Sequence, residues 1–228
     1  MPEIYHVLSR GVDKRKIFMD DRDRFRFIHD LFEFNDEAPA STSSYHFYKH
    51  YKQSGDVARR QIERKPRKLL VDILAFCLMP NHYHLLLCSR IERGISLFMK
   101  KLNGGYAKYF NEKHERTGTL FERKLKSVLV EKQAHFIHLP YYIHLNPLDL
   151  IAPAWRERRI VDYKKAIDFL DSYRWSSHLD YIGQENFPSV TQRDFLLEAF
   201  GGEGAYKKAI REWLRDLKIG NVRDLMLE

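Results

Sequence analysis

The stretch that most limits how this chain can fold runs from Leu69 to Cys88. It is almost wholly apolar and is broken at Pro80-Asn81. Leu69 to Met79 reads as a near-continuous buried strand, far short of a bilayer span, and Pro80-Asn81 turns the chain into a second strand. The two form a hairpin or near-hairpin. The second strand opens with His82-Tyr83-His84. Because side chains alternate along a strand, both histidines leave it on the same side and can present two imidazole nitrogens to one cation. An isolated His-x-His pair also suits two satisfied structural histidines, so a site needs a second half.

Around this hairpin the sequence alternates strands and helices. Ile4 to Val12 reads as a first strand ending at Arg10-Gly11, and a first amphipathic helix starts after Asp20, with Phe25, Phe27, Ile28, Leu31 and Phe32 at helical spacing. From Ile95 to Lys113 the apolar positions Leu97, Phe98, Leu102, Tyr106 and Phe110 again fall on one side, and Gly104-Gly105 in the middle allows close packing. Thr119 to Val130 reads as a strand. Gln133 to Leu145 reads as a helix, ended by Asn146-Pro147, with Pro140 taken as the first residue of its ordered part. Strand, helix, strand, strand, helix, strand, helix is the rhythm of an α+β fold with helices on an antiparallel sheet. Residues 1–150 would form the main domain, and 151–228 a small C-terminal helical extension.

The net charge of +8 over 228 residues favours an anionic partner, nucleic acid before an acidic membrane surface. Residues 37–68 read as an insertion in which aromatic residues alternate with Lys49, Lys52, Arg59 and Arg60. That mixture suits stacking on bases while cations meet phosphates, and it equally suits a solvated basic loop. Arg123, Lys124 and Lys126 are further phosphate candidates, or the wet face of an edge strand. Cys77 and Cys88 sit in apolar strands, as small hydrophobes do in a reducing cytoplasm. The start of the chain has no signal-peptide pattern, so no membrane partner is expected.

The second half of the site lies before Pro147. Tyr142 and Asn146 are four residues apart and so share one helix face. The Asn146 carbonyl oxygen is a competent ligand for a hard cation and could complete a His, His, Asn set. Tyr142, one turn away, would face the same phosphate as a nucleophile. Taken alone, the two residues also suit a core tyrosine and a helix cap.

The ordered series Met79-Pro80-Asn81-His82-Tyr83-His84-Leu85-Leu86, Gly118-Thr119-Leu120-Phe121, Lys126-Ser127, Tyr142-Ile143-His144-Leu145-Asn146-Pro147 and Trp175-Ser176-Ser177 resembles the single-tyrosine HUH transposases, particularly their REP-associated branch. Ser9-Arg10-Gly11-Val12 is similar to that family's first strand. The likeness spans about residues 4 to 183, interrupted near 37–68 and 152–170. It implies a ferredoxin-like antiparallel β-sheet with flanking helices. It also implies metal-dependent cleavage and rejoining of single-stranded or hairpin DNA, through a 5′-phosphotyrosyl intermediate on Tyr142. By the same resemblance His82, His84 and Asn146 would hold Mg²⁺ or Mn²⁺, Arg10 would join the DNA contacts, and the protein would act as a monomer or homodimer. Lys124 stands where the family more often has arginine, which keeps the charge and loses the fork that grips phosphate. Tyr141 lies about 100° round the helix from Tyr142 and lacks the four-residue relation to Asn146. The alternative from another class is a domesticated nucleic-acid-binding protein that keeps the fold without the chemistry.

Overall fold

The computed structural model describes residues 3–39, 67–131, 133–157, 159–216 and 227. The sheet has four strands: β1 (Ile4–Arg10), β2 (Val71–Met79), β3 (His82–Ser89) and β4 (Lys126–Leu129). Their order is β2-β3-β1-β4 with every neighbour antiparallel. Helix α1 (Asp21–Glu33) joins β1 to β2 in the chain, and α2 (Gly94–Lys113) joins β3 to β4. This is the ferredoxin-like arrangement expected from the sequence, two split β-α-β units interleaved in one antiparallel sheet.

The two faces of the sheet carry different layers. Val7, Ile73, Phe76, Leu78, Tyr83, Leu85 and Leu87 pack against Phe27 and Leu31 of α1 and Phe98, Leu102 and Tyr106 of α2. Asp20 caps α1, its side chain accepting from the Asp23 N–H at 3.0 Å. The close packing expected at Gly104-Gly105 belongs to Gly105 alone, where a Cβ would fall 2.3 Å from the Phe34 ring. On the opposite face Ala75, Cys77, Met79, Leu86 and Cys88 meet α3 (Gln133–Leu145). That layer continues into α4 (Tyr163–Leu170), α5 (His178–Tyr181), α6 (Asp194–Phe200) and α7 (Glu203–Asp216). Leu170, Leu179, Leu196, Tyr206 and Trp213 from these helices share one apolar cluster with the sheet and α3.

Two expectations are revised. The strand read over Thr119–Val130 pairs continuously only over Lys126–Leu129, with an isolated antiparallel bridge from Phe121 to Gly11. The side chains of Leu120 and Phe121 are drawn into the α1–α2 layer, and Gly118 turns the chain at a φ of 82°. Pro140 lies inside α3 rather than at its start. A proline there costs a helix roughly 3 kcal/mol, and the burial of Leu139, Tyr142, Ile143 and Leu145 outweighs it.

The outer edge of β2 is covered by the Trp175-Ser176-Ser177 segment. Leu78 N–H donates to the Trp175 carbonyl at 2.8 Å, Ser177 N–H to the Phe76 carbonyl at 3.0 Å, and Phe76 N–H to Ser177 Oγ at 2.9 Å. These bonds satisfy an edge that would otherwise invite another strand.

Candidate active site

The hairpin places the two histidines. His82 stands opposite Arg10 and Met79, and His84 opposite Leu8 and Cys77, so both point to the α3 face as alternation requires. Their ring centroids are 5.0 Å apart. Tyr142 comes down on them from α3, its ring edge-on to His84 at 6.1 Å and 89°. Asn146 lies one turn further on, where the helix tightens into a 3₁₀ turn over Asn146–Leu150.

A third imidazole belongs to this cluster and was not read from the sequence. His6 of β1 is fully buried, stacks on His84 at 5.2 Å, and its Nε2 is 2.9 Å from His84 Nδ1. It also meets Tyr142 edge-on at 6.2 Å. The alternation Ile4, His6, Leu8, Arg10 marks His6 as facing one layer, but only the β1–β3 register says which residue it meets.

Both ends of the Asn146 amide are engaged within the protein. The Asn146 amide donates to the Tyr142 carbonyl at 2.9 Å, and its oxygen accepts from the Arg156 guanidinium at 2.7 Å. Arg156 sits on a 3₁₀ turn, Pro153–Glu157, and its guanidinium carbon lies 5.6 Å from the Tyr142 ring centroid. Asp149 holds this turn, pairing with Arg156 and accepting from Trp155 Nε1 at 2.6 Å. His84, Tyr142 and Asn146 are fully buried, and His82 is 7% exposed. Among the described residues no group of three histidine, cysteine or carboxylate side chains is arranged to hold a metal ion. His82 and His84 offer nitrogen donors on one face, whereas the Asn146 oxygen is engaged by a cation of the protein's own.

The neighbouring groups have structural partners. Tyr141 packs on Phe200, Tyr206 and Trp213, and burial pushes its hydroxyl up to about 12. His144 bonds Tyr206 Oη at 2.6 Å through Nδ1 and Ser177 Oγ at 2.7 Å through Nε2. Burial first, then the nearby His178, holds His144 well below the ordinary histidine value, so the ring is neutral.

Of the cations expected to meet DNA, Arg123 and Lys124 are exposed in the loop before β4. Lys126 donates to the Leu227 carbonyl at 2.9 Å, and Arg10 is half-buried at the end of β1, opposite His82. Lys49, Lys52, Arg59 and Arg60 lie outside the described residues. A surface groove lined by Arg15, Lys16, His114 and Arg116 with Met19 and Phe110 adds basic groups that sequence reading did not single out. Among the described residues no helix is long and apolar enough to cross a membrane.

Residues 42–146 match the family model described as "Transposase IS200 like", a segment that contains His82, His84, Tyr142 and Asn146. Over that segment the chain is similar to the IS200-like transposases. The chain is also similar to a solved structure, that of a REP-associated tyrosine transposase bound to a REP hairpin, at 9% identity and a TM-score of 0.46. That alignment covers 82% of this chain and 84% of the other. No curated protein matches. His6 and Arg156, which complete the surroundings of Tyr142, lie outside the matched segment.

Proposed function

We propose that this protein is a metal-dependent single-strand DNA endonuclease and strand transferase that acts on single-stranded or hairpin DNA through a covalent 5′-phosphotyrosine. The observation that carries the reading is the approach of Tyr142 to within 6.1 Å, ring to ring, of His84 on the face that also bears His82. In the proposed reaction the Tyr142 oxygen attacks phosphorus as its proton is lost. The P–O3′ bond breaks, and the departing strand carries away a 3′-hydroxyl. The ester bond is conserved in the intermediate, so rejoining by a 3′-hydroxyl needs no nucleotide. His82 and His84 would hold Mg²⁺ or Mn²⁺, and Asn146 would add its oxygen once Arg156 releases it. The ion, when bound, polarises the phosphoryl oxygens and offsets developing charge. Tyr142 is buried and the turn bearing Trp155 and Arg156 packs on its ring, so in this reading that turn moves aside to admit a phosphodiester. In this reading residues 1–150 are the catalytic unit and 151–228 a helical extension of a cytoplasmic monomer or homodimer.

The test is incubation with labelled hairpin-bearing single-stranded DNA and Mg²⁺ or Mn²⁺, followed by a denaturing gel. A covalent adduct that disappears in Tyr142→Phe is expected, and cleavage that survives this substitution would remove Tyr142 from the mechanism. A second reading, a nucleic-acid-binding protein without chemistry, draws on the closed site and on the grip of Arg156 on Asn146. DNA binding without adduct under every metal tried would favour it.

A further inference from the structure

A catalytic or ligating imidazole is useful only in the right tautomer, and the partner of its other nitrogen sets that tautomer. His82 Nδ1 is 2.7 Å from the side-chain oxygen of Asn81. Carbonyl oxygens cannot donate, so Nδ1 carries the proton and Nε2 is the ring's electron-pair donor. This depends on which end of the Asn81 amide faces the ring. That choice is made by a third group: the Asn81 amide nitrogen lies 3.3 Å from the backbone carbonyl of Lys14, which only accepts. Lys14 therefore turns the amide, and the amide fixes the histidine.

The segment presenting that carbonyl is built for the purpose at a conformational cost. Asp13 and Lys14 are consecutive non-glycine residues in the left-handed region, each with a φ of 56°. Such residues persist only where the surroundings hold them. Here the loop is wound tightly round Gly11, where a Cβ would meet the Arg15 carbonyl at 2.4 Å and Ile17 Cγ2 at 2.8 Å. It is also bonded to the β2–β3 turn. Gly11 N–H donates to the Asn81 carbonyl at 2.8 Å, and Ile17 N–H to the Pro80 carbonyl at 2.9 Å. Asn81 itself does not occupy the left-handed region, so the turn's backbone does not demand asparagine.

We infer that Asn81, oriented by the Lys14 carbonyl on this strained loop, is a positioning residue that sets the tautomer and ring orientation of His82. The inference rests on the proposed function for its purpose, since a fixed Nε2 donor serves a metal-binding histidine, but its test does not require metal.

The histidine tautomers are read in metal-free protein by two-bond nitrogen–proton correlation spectra at about pH 8.5, well above the ordinary histidine value. Wild type is expected to show His82 as the Nδ1–H form. In Asn81→Ala a mixture or the Nε2–H form is expected, whereas Asn81→Asp, which offers only acceptor oxygens, restores Nδ1–H. Lys14→Gly keeps both the carbonyl and a residue suited to the left-handed region, and it is expected to leave the tautomer unchanged. Mn²⁺ affinity, measured by the loss of the free-ion electron paramagnetic resonance signal, should weaken about 10- to 100-fold in Asn81→Ala and recover in Asn81→Asp. An Asn81→Ala protein with the wild-type tautomer would overturn the inference, and a tautomer shift in Lys14→Gly would overturn the backbone's part in it. Wild-type protein that binds no Mn²⁺ would remove the metal from the proposed function and leave the tautomer result to decide the role of Asn81.

Discussion

The two faces of the sheet are built from the same strands and obey different rules. Against α1 and α2, the side chains of β1, β2 and β3 are largely aliphatic and aromatic, with Tyr83, Asn103 and Ser9 as one short polar string. Against α3 the same strands bury His6, His82 and His84, and the helices add Asn146, His144 and His178. Burying polar groups is costly unless they are bonded, and an apolar face would hold the layers together more simply. Both layers bury large apolar clusters, and the α3 layer in addition keeps polar groups buried within reach of Tyr142.

This division can be broken by experiment. The largest effect is expected from Tyr142→Phe, which removes one oxygen. Adduct formation should fall on the order of 10³-fold or more, with unfolding free energy within about 1.5 kcal/mol of wild type. Phe27→Ala, on the apolar layer, should reverse the pattern. It is expected to lose about 3 to 5 kcal/mol in denaturant titrations, with activity per folded molecule unchanged. Equal activity losses in the two variants would show that the layers are not separable.

Arg156→Ala sharpens the contrast within the polar layer. Loss of the charged donor to a buried oxygen should cost about 1 to 3 kcal/mol, yet Mn²⁺ should bind at least as tightly, because Asn146 is then available. Weaker Mn²⁺ binding in calorimetry would make Arg156 a support for the site rather than a competitor in it. The next effect comes from His144. Its folded-state value lies below that of the unfolded chain, so on acidification the unfolded chain takes up a proton that the folded protein does not. Stability is therefore full above about pH 6.5 and is lost as pH falls below it, by at most about 1.4 kcal/mol per pH unit for one group. Melting curves from pH 7.5 down to 5.5 should show this slope diminished in His144→Gln. Smallest of all, removing Arg123 or Lys124 should lower the salt dependence of DNA binding by about one unit of slope each if they contact phosphates.

What could be read in advance follows the range of the interactions. The hairpin and the shared face of His82 and His84 are local, set by period-two alternation and by Pro80-Asn81. The four-residue relation of Tyr142 to Asn146 is likewise local to one helix. The His6–His84 contact joins residues 78 positions apart and exists only through strand register, which no single segment encodes. Arg156 comes from a stretch without clear periodicity and reaches Asn146 only because Asp149 and the 3₁₀ turns fold it back. Pro140 misled for a related reason: propensity predicts a helix start, and the packing of α3 against the sheet overrides it.

The two-residue turn at Pro80-Asn81 has the character of a parity bit. A residue added there that slid β3 by one position in register would swing His82 and His84 into the layer of Phe27 and Tyr106 and deliver Tyr83 to Tyr142. A slip of two positions would restore the original facing. The tight turn thus guards the facing of both histidines by holding the register, a constraint that no substitution at the histidines themselves would reveal.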